Sequence, residues 1–324
     1  MKERKRLWIP ESRPIPVVDI ELPPIRIGGY YYVYLIDAET GEVKRELQFS
    51  NLITDAGLDL IGNGNSLNNI YTTLAVGTDN TTPTISDTTL GNEIASTANS
   101  DGQADFDGFE TSPVEFAFRR RIRQFGQGQA IGNLTELGWK VGGVVANRTL
   151  FRDEENNVTT IIKTDRDLLK IVYEYRIFAP LDDVTGTFLF TPTSASVAYT
   201  IRPQNVNSVN GWRGLLTNMG AITTECRVHE SNNFVGRTVD NNPNPRASED
   251  SSSFVPYING TFFKDTEYNY VFATGNFGSQ INLVTWSPWV TTSELMWQMH
   301  LSSSIEKDVN NRMAISFRQR WTRE

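Results

Sequence analysis

Charged and apolar side chains alternate along residues 114–125, and this spacing is the strongest candidate for a binding function in the chain. Successive side chains of a β-strand point to opposite faces, so Arg119, Arg121 and Arg123 would share one face with Glu115. The other face would carry Val114, Phe116, Phe118 and Ile122. The basic face could bind an acidic neighbouring protein or a nucleic acid. In the commoner alternative it is solvated, or paired with acidic residues of the next strand.

The acidic segment 101–110 has a superficial likeness to a calcium-binding loop. Asp105, Asp107 and Gly108 would take positions three, five and six of such a loop. Positions one and twelve, which need carboxylates, are then Gln103 and Val114. The segment is therefore interpreted as a solvated acidic loop, with an irregular carboxylate site as the alternative.

Few residues are available for metal or nucleophilic chemistry. Cys226 and His229 have ligand-like spacing, but zinc needs further nitrogen or sulfur ligands and only His300 remains. No strand–turn–helix nucleophile motif appears, and the glycines at 126–128 lack the lysine of a phosphate-binding loop. Paired carboxylates for glycoside hydrolysis would be brought together by the fold, and nothing in the sequence selects a pair. We predict no enzyme activity, metal or cofactor.

Composition narrows the classes of partner. The 324 residues include 30 Lys and Arg against 38 Asp and Glu, a formal net charge of −8. An acidic chain is poorly suited to wrap nucleic acid or to lie on anionic lipid, so a nucleic-acid partner is not expected. No apolar run reaches the roughly 18 residues of a membrane span, and none resembles a signal peptide. Synthesis in a cytoplasm is expected, and the single Cys226 excludes an internal disulfide.

Residues 1–28 combine prolines with apolar side chains and are predicted to form an extended arm. Each proline removes a backbone donor and favours extended backbone, so the arm should lie on another surface, of its own chain or of a neighbour. The residues expected to bind a partner are Arg4, Arg6, Leu7, Trp8, Ile9, Val17, Ile20 and Leu22. The basic cluster at 1–6 could add attraction to an acidic partner, or could be an ordinary solvated terminus.

Short strand-like segments separated by turn residues recur along the rest of the chain. Residues 30–36 and 43–49 predict a hairpin, and Thr54 is expected to cap a short helix. Further strands are expected at 70–76, 114–125, 145–151, 158–163, 168–178, 187–191, 195–201, 222–228, 254–258, 268–273, 280–286, 295–305 and 313–321. A second helix is expected at 212–219. This pattern predicts an all-β fold, an antiparallel β-sandwich of jelly-roll-like or Ig-like type.

Two long loops, 77–112 and 230–253, interrupt the predicted strands. Loops of that length in a compact domain are usually functional or mobile, so both are expected to contact partners. The predicted organisation is an arm over 1–28 and one sandwich module over 29–324 that carries the two loops as insertions.

Several phrases of the sequence resemble a family of tailed-bacteriophage virion proteins, described as tail or tail-fibre-like structural proteins. The similar blocks are residues 49–58 (FSNLITDAGL), 74–83 (LAVGTDNTTP) with 87–90, a series from 135 to 177, and 297–321. The blocks occur in the expected order over most of residues 30–324. The chain departs from the pattern at 320–323, where RWTR replaces a more usual SWGR.

The resemblance implies a non-enzymatic structural protein of a virion, in the tail, collar or baseplate region, made in the host cytoplasm. It implies homo-oligomeric assembly with copies of itself and with other virion proteins, through the arm and the loops. A receptor- or carbohydrate-binding fibre module is the alternative, with an exposed aromatic platform formed by Trp286, Trp289, Tyr257 and Tyr268. Such aromatic residues more often lie in cores. A capsid decoration protein is a further alternative.

Overall fold

The computed structural model of the chain describes residues 17–65, 67–178, 180, 182–190, 194–204, 225–230, 246–248, 250–270, 281–287, 296–307 and 312–324. The helices are α1 (Asp55–Gly62) and α2 (Leu67–Ile70). The strands are β1 (Val17–Glu21), β2 (Ile25–Asp37), β3 (Val43–Ser50), β4 (Leu52–Ile53), β5 (Thr73–Gly77), β6 (Glu93–Thr97), β7 (Phe106–Glu110), β8 (Phe116–Phe125), β9 (Gly132–Leu134), β10 (Glu136–Val141), β11 (Val144–Leu150), β12 (Ile161–Lys163), β13 (Asp167–Phe178), β14 (Val184–Phe190), β15 (Ala195–Gln204), β16 (Glu225–His229), β17 (Arg246–Ser248), β18 (Ser251–Phe254), β19 (Phe263–Tyr270), β20 (Ile281–Ser287), β21 (Met296–Ile305) and β22 (Met313–Arg323). The predicted all-β sandwich fold is confirmed.

The first hairpin and the first helix form where the sequence predicts them. The turn between β2 and β3 is closed by Asp37, whose carboxylate accepts hydrogen bonds of 3.0 Å from the backbone amides of Glu39 and Thr40. Thr54 caps α1 by accepting from the Gly57 amide at 3.0 Å, and its hydroxyl donates to the Val145 carbonyl at 2.7 Å. The cap therefore also ties α1 to β11.

The first core lies between a nine-stranded sheet and a five-stranded sheet. The nine-stranded sheet has the order β18-β19-β22-β2-β13-β8-β7, with β1 beside β22 and β3 beside β2. The five-stranded sheet has the order β4-β11-β10-β5-β6. Buried aromatic residues fill the space between them, among them Tyr31, Tyr71, Trp139 and Tyr173. Tyr71 and Trp139 meet edge to face with ring centroids 6.4 Å apart, a favourable geometry for aromatic pairs.

The second core lies between the other half of the nine-stranded sheet and a six-stranded sheet. The six-stranded sheet has the order β14-β15-β21-β20-β16-β17. Side chains of β1, β19 and β22 pack against it, and the core includes Tyr268, Trp297 and Phe317. β22 joins the two cores, because Phe317 belongs to the second core and Trp321, four residues on, belongs to the first.

Most strand pairs are antiparallel, as predicted, but β22 makes two parallel pairs that the sequence did not indicate. β1 runs parallel to β22 from Val17↔Ala314 to Glu21↔Arg318. The start of β2 then continues beside the end of β22, from Ile25↔Trp321 to Ile27↔Arg323. Parallel neighbours need a long connection, and here almost the whole chain separates the two strands.

The predicted arm divides at residue 17. Residues 1–16, with Arg4, Arg6, Leu7, Trp8 and Ile9, lie outside the described residues. The sequence left open whether the arm lies on its own chain or on a neighbour. Residues 17–28 lie on their own chain, and Ile20 and Leu22 are buried in the second core. The strand expected over residues 30–36 begins earlier, at Ile25. Ile20 and Leu22 are therefore not available to a partner, since β22 and the six-stranded sheet already cover them. The backbone of Val17, also expected to bind a partner, pairs with Ala314 of β22.

The region 77–112 is not one unstructured loop, because it contains β6 and β7. Both strands are short and rich in polar residues, so they lack the β-branched pattern by which strands are predicted. In the region 230–253, β17 and the start of β18 are described, whereas 231–245 and 249 lie outside the described residues. So does the helix predicted at 212–219. Of the strand expected at 254–258, only Phe254 is in a strand, as the last residue of β18. The strand expected at 70–76 is β5, which begins at Thr73.

Candidate interaction surface

The three arginines of the predicted basic face point into the molecule. Arg121 and Arg123 are only 6% and 8% exposed. The Arg121 guanidinium donates to the Tyr71 carbonyl at 2.8 Å, and Arg123 donates to the Thr72 carbonyl at 3.0 Å. Burial lowers the pKa of Arg121 to about 10, although Asp105 opposes this shift. The predicted docking role of these two arginines is therefore not supported, because the chain itself covers them.

Arg119 and the acidic segment form an internal pair. Arg119 lies opposite Asp107 in the β7–β8 ladder and donates to its carboxylate from two nitrogens, with Nη2 to Oδ2 at 2.7 Å. Asp105 lies 3.6 Å from Arg121 and 3.9 Å from Arg123. The carboxylates that suggested a calcium loop thus face guanidinium groups. Within the described part of the chain, no group of three or more His, Cys, Asp and Glu side chains could hold a metal ion.

The apolar face predicted for residues 114–122 lies on the outer side of the sheet. Strand alternation places Phe116, Phe118 and Arg120 on the face opposite the first core. Neighbouring strands contribute more rings and charges to the same face. We call this surface the outer aromatic face; its members are Tyr30, Tyr32, Phe106, Phe116, Phe118, Arg120, Glu174, Arg176 and Phe178.

Arg120 is the centre of the outer aromatic face. Its guanidinium carbon lies 4.8 Å from the ring centroid of Phe118, and 5.3 and 5.4 Å from those of Phe106 and Tyr32. These distances are within the range for cation–π attraction. Arg120 and Phe106 are direct cross-strand partners, which fixes the guanidinium beside the edge strand β7.

Glu174 connects Arg120 to a second arginine. Its carboxylate accepts a 2.5 Å hydrogen bond from Arg120 and a 2.6 Å bond from Arg176, and the residue is 1% exposed. Arg176 in turn lies over the rings of Tyr30 and Phe116, 4.7 and 4.6 Å from their centroids. One carboxylate therefore serves two guanidinium groups, which leaves an excess of positive charge on this half-exposed surface.

Two groups on the outer aromatic face have pKa values above their usual ones, Arg120 and Tyr32. Burial would lower the pKa of Arg120, but its hydrogen bond to Glu174 raises that pKa above the usual value. Burial raises the pKa of the Tyr32 hydroxyl, and the Glu174 charge raises it further. The Arg120 guanidinium is thus held as a cation, and the Tyr32 hydroxyl is held in its neutral form.

A second charged cluster holds the loop between β5 and β6. Arg148 donates to Glu136 at 2.8 Å, to Asp87 at 2.7 Å and to Asp79 at 3.0 Å. Glu136 also accepts from the amides of Gly91 and Asn92 at 3.0 and 2.8 Å. The β5–β6 part of the predicted loop 77–112 is therefore held to its own sheet by partly buried ionic hydrogen bonds.

The remaining candidates are engaged in packing. Cys226 and His229 are fully buried on β16. Tyr268 is buried in the second core, and Tyr257 packs on Trp321 with ring centroids 5.7 Å apart. The side chains of Trp286 and Trp289 lie outside the described part of the structure. Tyr268 is thus a core residue and Tyr257 packs partly buried against the first core, whereas more exposed rings lie on β2, β7 and β8.

Two of the recesses among the described residues are shallow, with cavity volumes of about 0 and 40 Å³. The first is lined by Tyr71, Arg119, Arg121, Tyr173 and Tyr175, and the second by residues between Val255 and Asp265. Both are smaller than the roughly 300–1,000 Å³ of typical small-molecule sites. The helices in the described residues are too short and too polar to span a membrane. No protein-family model, curated protein or solved structure matches the chain.

Proposed function

We propose that the chain is a non-enzymatic structural subunit of a tailed-phage virion, located in the tail, collar or baseplate region. In this role it assembles with copies of itself and with neighbouring virion proteins. The observation that carries the proposal is the outer aromatic face, where Tyr30, Tyr32, Phe106, Phe116, Arg120 and Arg176 are partly or fully exposed beside the buried rings of Phe118 and Phe178. These residue types are enriched in protein–protein interfaces and in their energetic hot spots.

The geometry of the outer aromatic face favours a protein partner over a sugar. A glycan-binding platform needs a ring face open for stacking. Here Arg176 lies over Tyr30 and Arg120 over Tyr32, so that guanidinium groups already occupy the rings. Such arginines are held in place before binding, which reduces the entropy lost when a partner docks.

The placement of the phage-like blocks is consistent with one structural unit. Residues 49–58 supply β4 and α1, and 74–90 supply the loop held by Arg148. Residues 297–321 supply β21 and β22. Trp321 donates to the Leu58 carbonyl at 3.2 Å, so the last block contacts the first. The motifs that suggested the family therefore stabilise a scaffold and its loop, which suits a structural subunit.

Two measurements test the proposed function. Particles purified from a culture of the phage that encodes this chain should contain it, and immunogold labels should cluster at the tail, collar or baseplate. The purified full-length chain should also form a discrete oligomer in sedimentation velocity. Absence from purified particles would overturn the proposal. Labelling of heads would favour capsid decoration, and specific signals on a glycan array would favour the receptor-binding alternative.

A further inference from the structure

The strand β7 ends the nine-stranded sheet and has one strand neighbour among the described residues, β8. An edge strand leaves alternate backbone amides and carbonyls open on its outer side, and these can pair with an added strand from another segment. Two apolar side chains border this edge. Phe106 on β7 is 45% exposed, and Val114 in the β7–β8 connection is 48% exposed. The edge thus offers both backbone pairing and apolar contact.

The edge is also acidic. Residues 101–115 include five Asp or Glu and no Lys or Arg. Asp105 and Asp107 face arginines of β8, as described above. Glu110 and Glu115 make no ion pair within the described part of the chain. These two carboxylates leave the edge with negative charge that a basic segment would neutralise.

Residues 1–16 have the complementary chemistry. They contain five Lys or Arg against two Glu, followed within the same segment by the apolar run of Leu7, Trp8 and Ile9. Basic and apolar groups therefore occur close together in the segment, as acidic and apolar groups do along the edge. Sixteen extended residues reach about 50 Å, which is enough to bridge two adjacent subunits.

The path that residues 1–16 would have to follow to reach the β7 edge of their own chain disfavours an intramolecular contact. β22, beside which β1 lies, is four strand positions from β7, about 19 Å at the usual strand spacing. Between them the inner side of the sheet is filled by the first core, so the segment would cross the outer aromatic face. That surface carries Arg120 and Arg176, and Arg26 lies beside it over the Phe178 ring, so that three arginines repel a basic segment. A neighbouring copy can approach the edge without this crossing.

We infer that the β7 edge, residues 106–115, receives residues 1–16 of a second copy of this chain, by strand addition supported by charge pairing. The inference rests on the proposed structural function and assigns the surface through which the subunits join. Glu110 and Glu115 pair with basic residues of the incoming segment, and its Leu7–Trp8–Ile9 run covers Phe106 and Val114.

Photo-crosslinking between isotopically distinct copies tests the contact in the full-length chain. An unlabelled copy carries p-benzoylphenylalanine in place of Val114 and is mixed with an equal amount of ¹⁵N-labelled chain. Mass spectrometry should find position 114 joined to peptides from residues 1–16 that include the ¹⁵N form. Crosslinks to unlabelled arm peptides alone would show an intramolecular contact and overturn the inference. Crosslinks only to other segments, or none, would also overturn it.

A charge swap tests the recognition. Changing Glu110→Lys together with Glu115→Lys should lower the crosslink yield about tenfold, because the new lysines repel the basic segment. The experiment is done at low salt, since exposed charges are screened at high salt. The matched control is Glu154→Lys with Glu155→Lys, an equal charge change on the exposed turn after β11, and it should leave the yield unchanged. Adding Lys5→Glu and Arg6→Glu to the first variant should restore the yield. An equal loss in both variants, or no rescue, would contradict the charge pairing.

Failure of this inference is distinguishable from failure of the proposed function. If the chain is present in virions and oligomerises in solution while position 114 gives no arm crosslink, the edge assignment is wrong and the structural role stands. If position 114 crosslinks to the arm of a second copy but the chain is absent from virions, the contact is real and the virion role is wrong.

Discussion

Arg148 on β11 and Glu136 on β10 form a buried ion pair in which Nε donates to Oε2 at 2.8 Å. Glu136 is fully buried and Arg148 is 3% exposed. The remaining guanidinium nitrogens reach Asp87 and Asp79 in the loop between β5 and β6. The pair therefore determines the path of that loop as well as the pairing of two central strands.

Replacing Arg148 by alanine should destabilise the fold strongly. Glu136 would keep its two amide hydrogen bonds but lose its counterion, and breaking a buried pair from one side costs about 3–5 kcal/mol. Urea unfolding followed by circular dichroism measures the change. Arg152→Ala is the control, because Arg152 lies on the exposed turn after β11 and its guanidinium donates to the Asn156 carbonyl. A loss below about 1 kcal/mol for Arg148→Ala would contradict a structural role for the cluster.

Gly57→Ala tests the close approach of α1 to β11. A Cβ at Gly57 would lie 2.1 Å from the carbonyl oxygen of Ala146, which is backbone and cannot rotate away. The steric cost of about 1–3 kcal/mol should exceed the roughly 1 kcal/mol that alanine gains in helix propensity. The free energy of unfolding should therefore fall. Gly126→Ala is the control, since the nearest atom there is 3.5 Å away, and a stabilised Gly57→Ala variant would contradict the packing.

The sequence was sufficient for features with local causes. The β2–β3 hairpin has its turn residues in sequence, and α1 has its Thr54 cap, so short-range chemistry defines both. The direction of the two β8 faces was wrong, because alternation shows which side chains share a face but not which face is inward. Backbone carbonyls of Tyr71 and Thr72 make the inner side suitable for guanidinium groups, and no local pattern near β8 indicates them. The parallel pairing of β1 with β22 depends on residues almost 300 positions apart.

Asp167 should make stability depend on pH in the acid range. Burial alone would raise its pKa, but hydrogen bonds from Lys44 at 2.7 Å and from the Thr164 hydroxyl at 2.6 Å hold the pKa at about 2. An unfolded aspartate has a pKa near 3.9, so this carboxylate stabilises the fold above roughly pH 4. The contribution should disappear as the pH falls from about 5 to about 2.

The variant Asp167→Asn isolates that contribution. It should lower the free energy of unfolding at pH 7 by about 1–3 kcal/mol, the range for hydrogen bonds to a charged group, and should flatten its pH dependence below pH 5. Unfolding in urea between pH 2 and pH 7 measures both effects. Asp165→Asn serves as the control, because its exposed carboxylate accepts no hydrogen bond from the described residues. An unchanged pH profile for Asp167→Asn would show that other carboxylates dominate the acid transition.

Arg176→Ala should separate assembly from stability. Its guanidinium covers Tyr30 and Phe116, and such cation–π contacts contribute roughly 0.5–1 kcal/mol each to the fold. The variant also loses the hydrogen bond to the buried Glu174, whose carboxylate keeps its bond from Arg120 as a counterion. At an interface the same residue would be desolvated by the partner, so its loss should weaken self-association about tenfold or more. Sedimentation velocity over a concentration series measures the association, with Arg166→Ala, an exposed arginine between β12 and β13, as the control. Unchanged association of Arg176→Ala would remove the outer aromatic face from the interface.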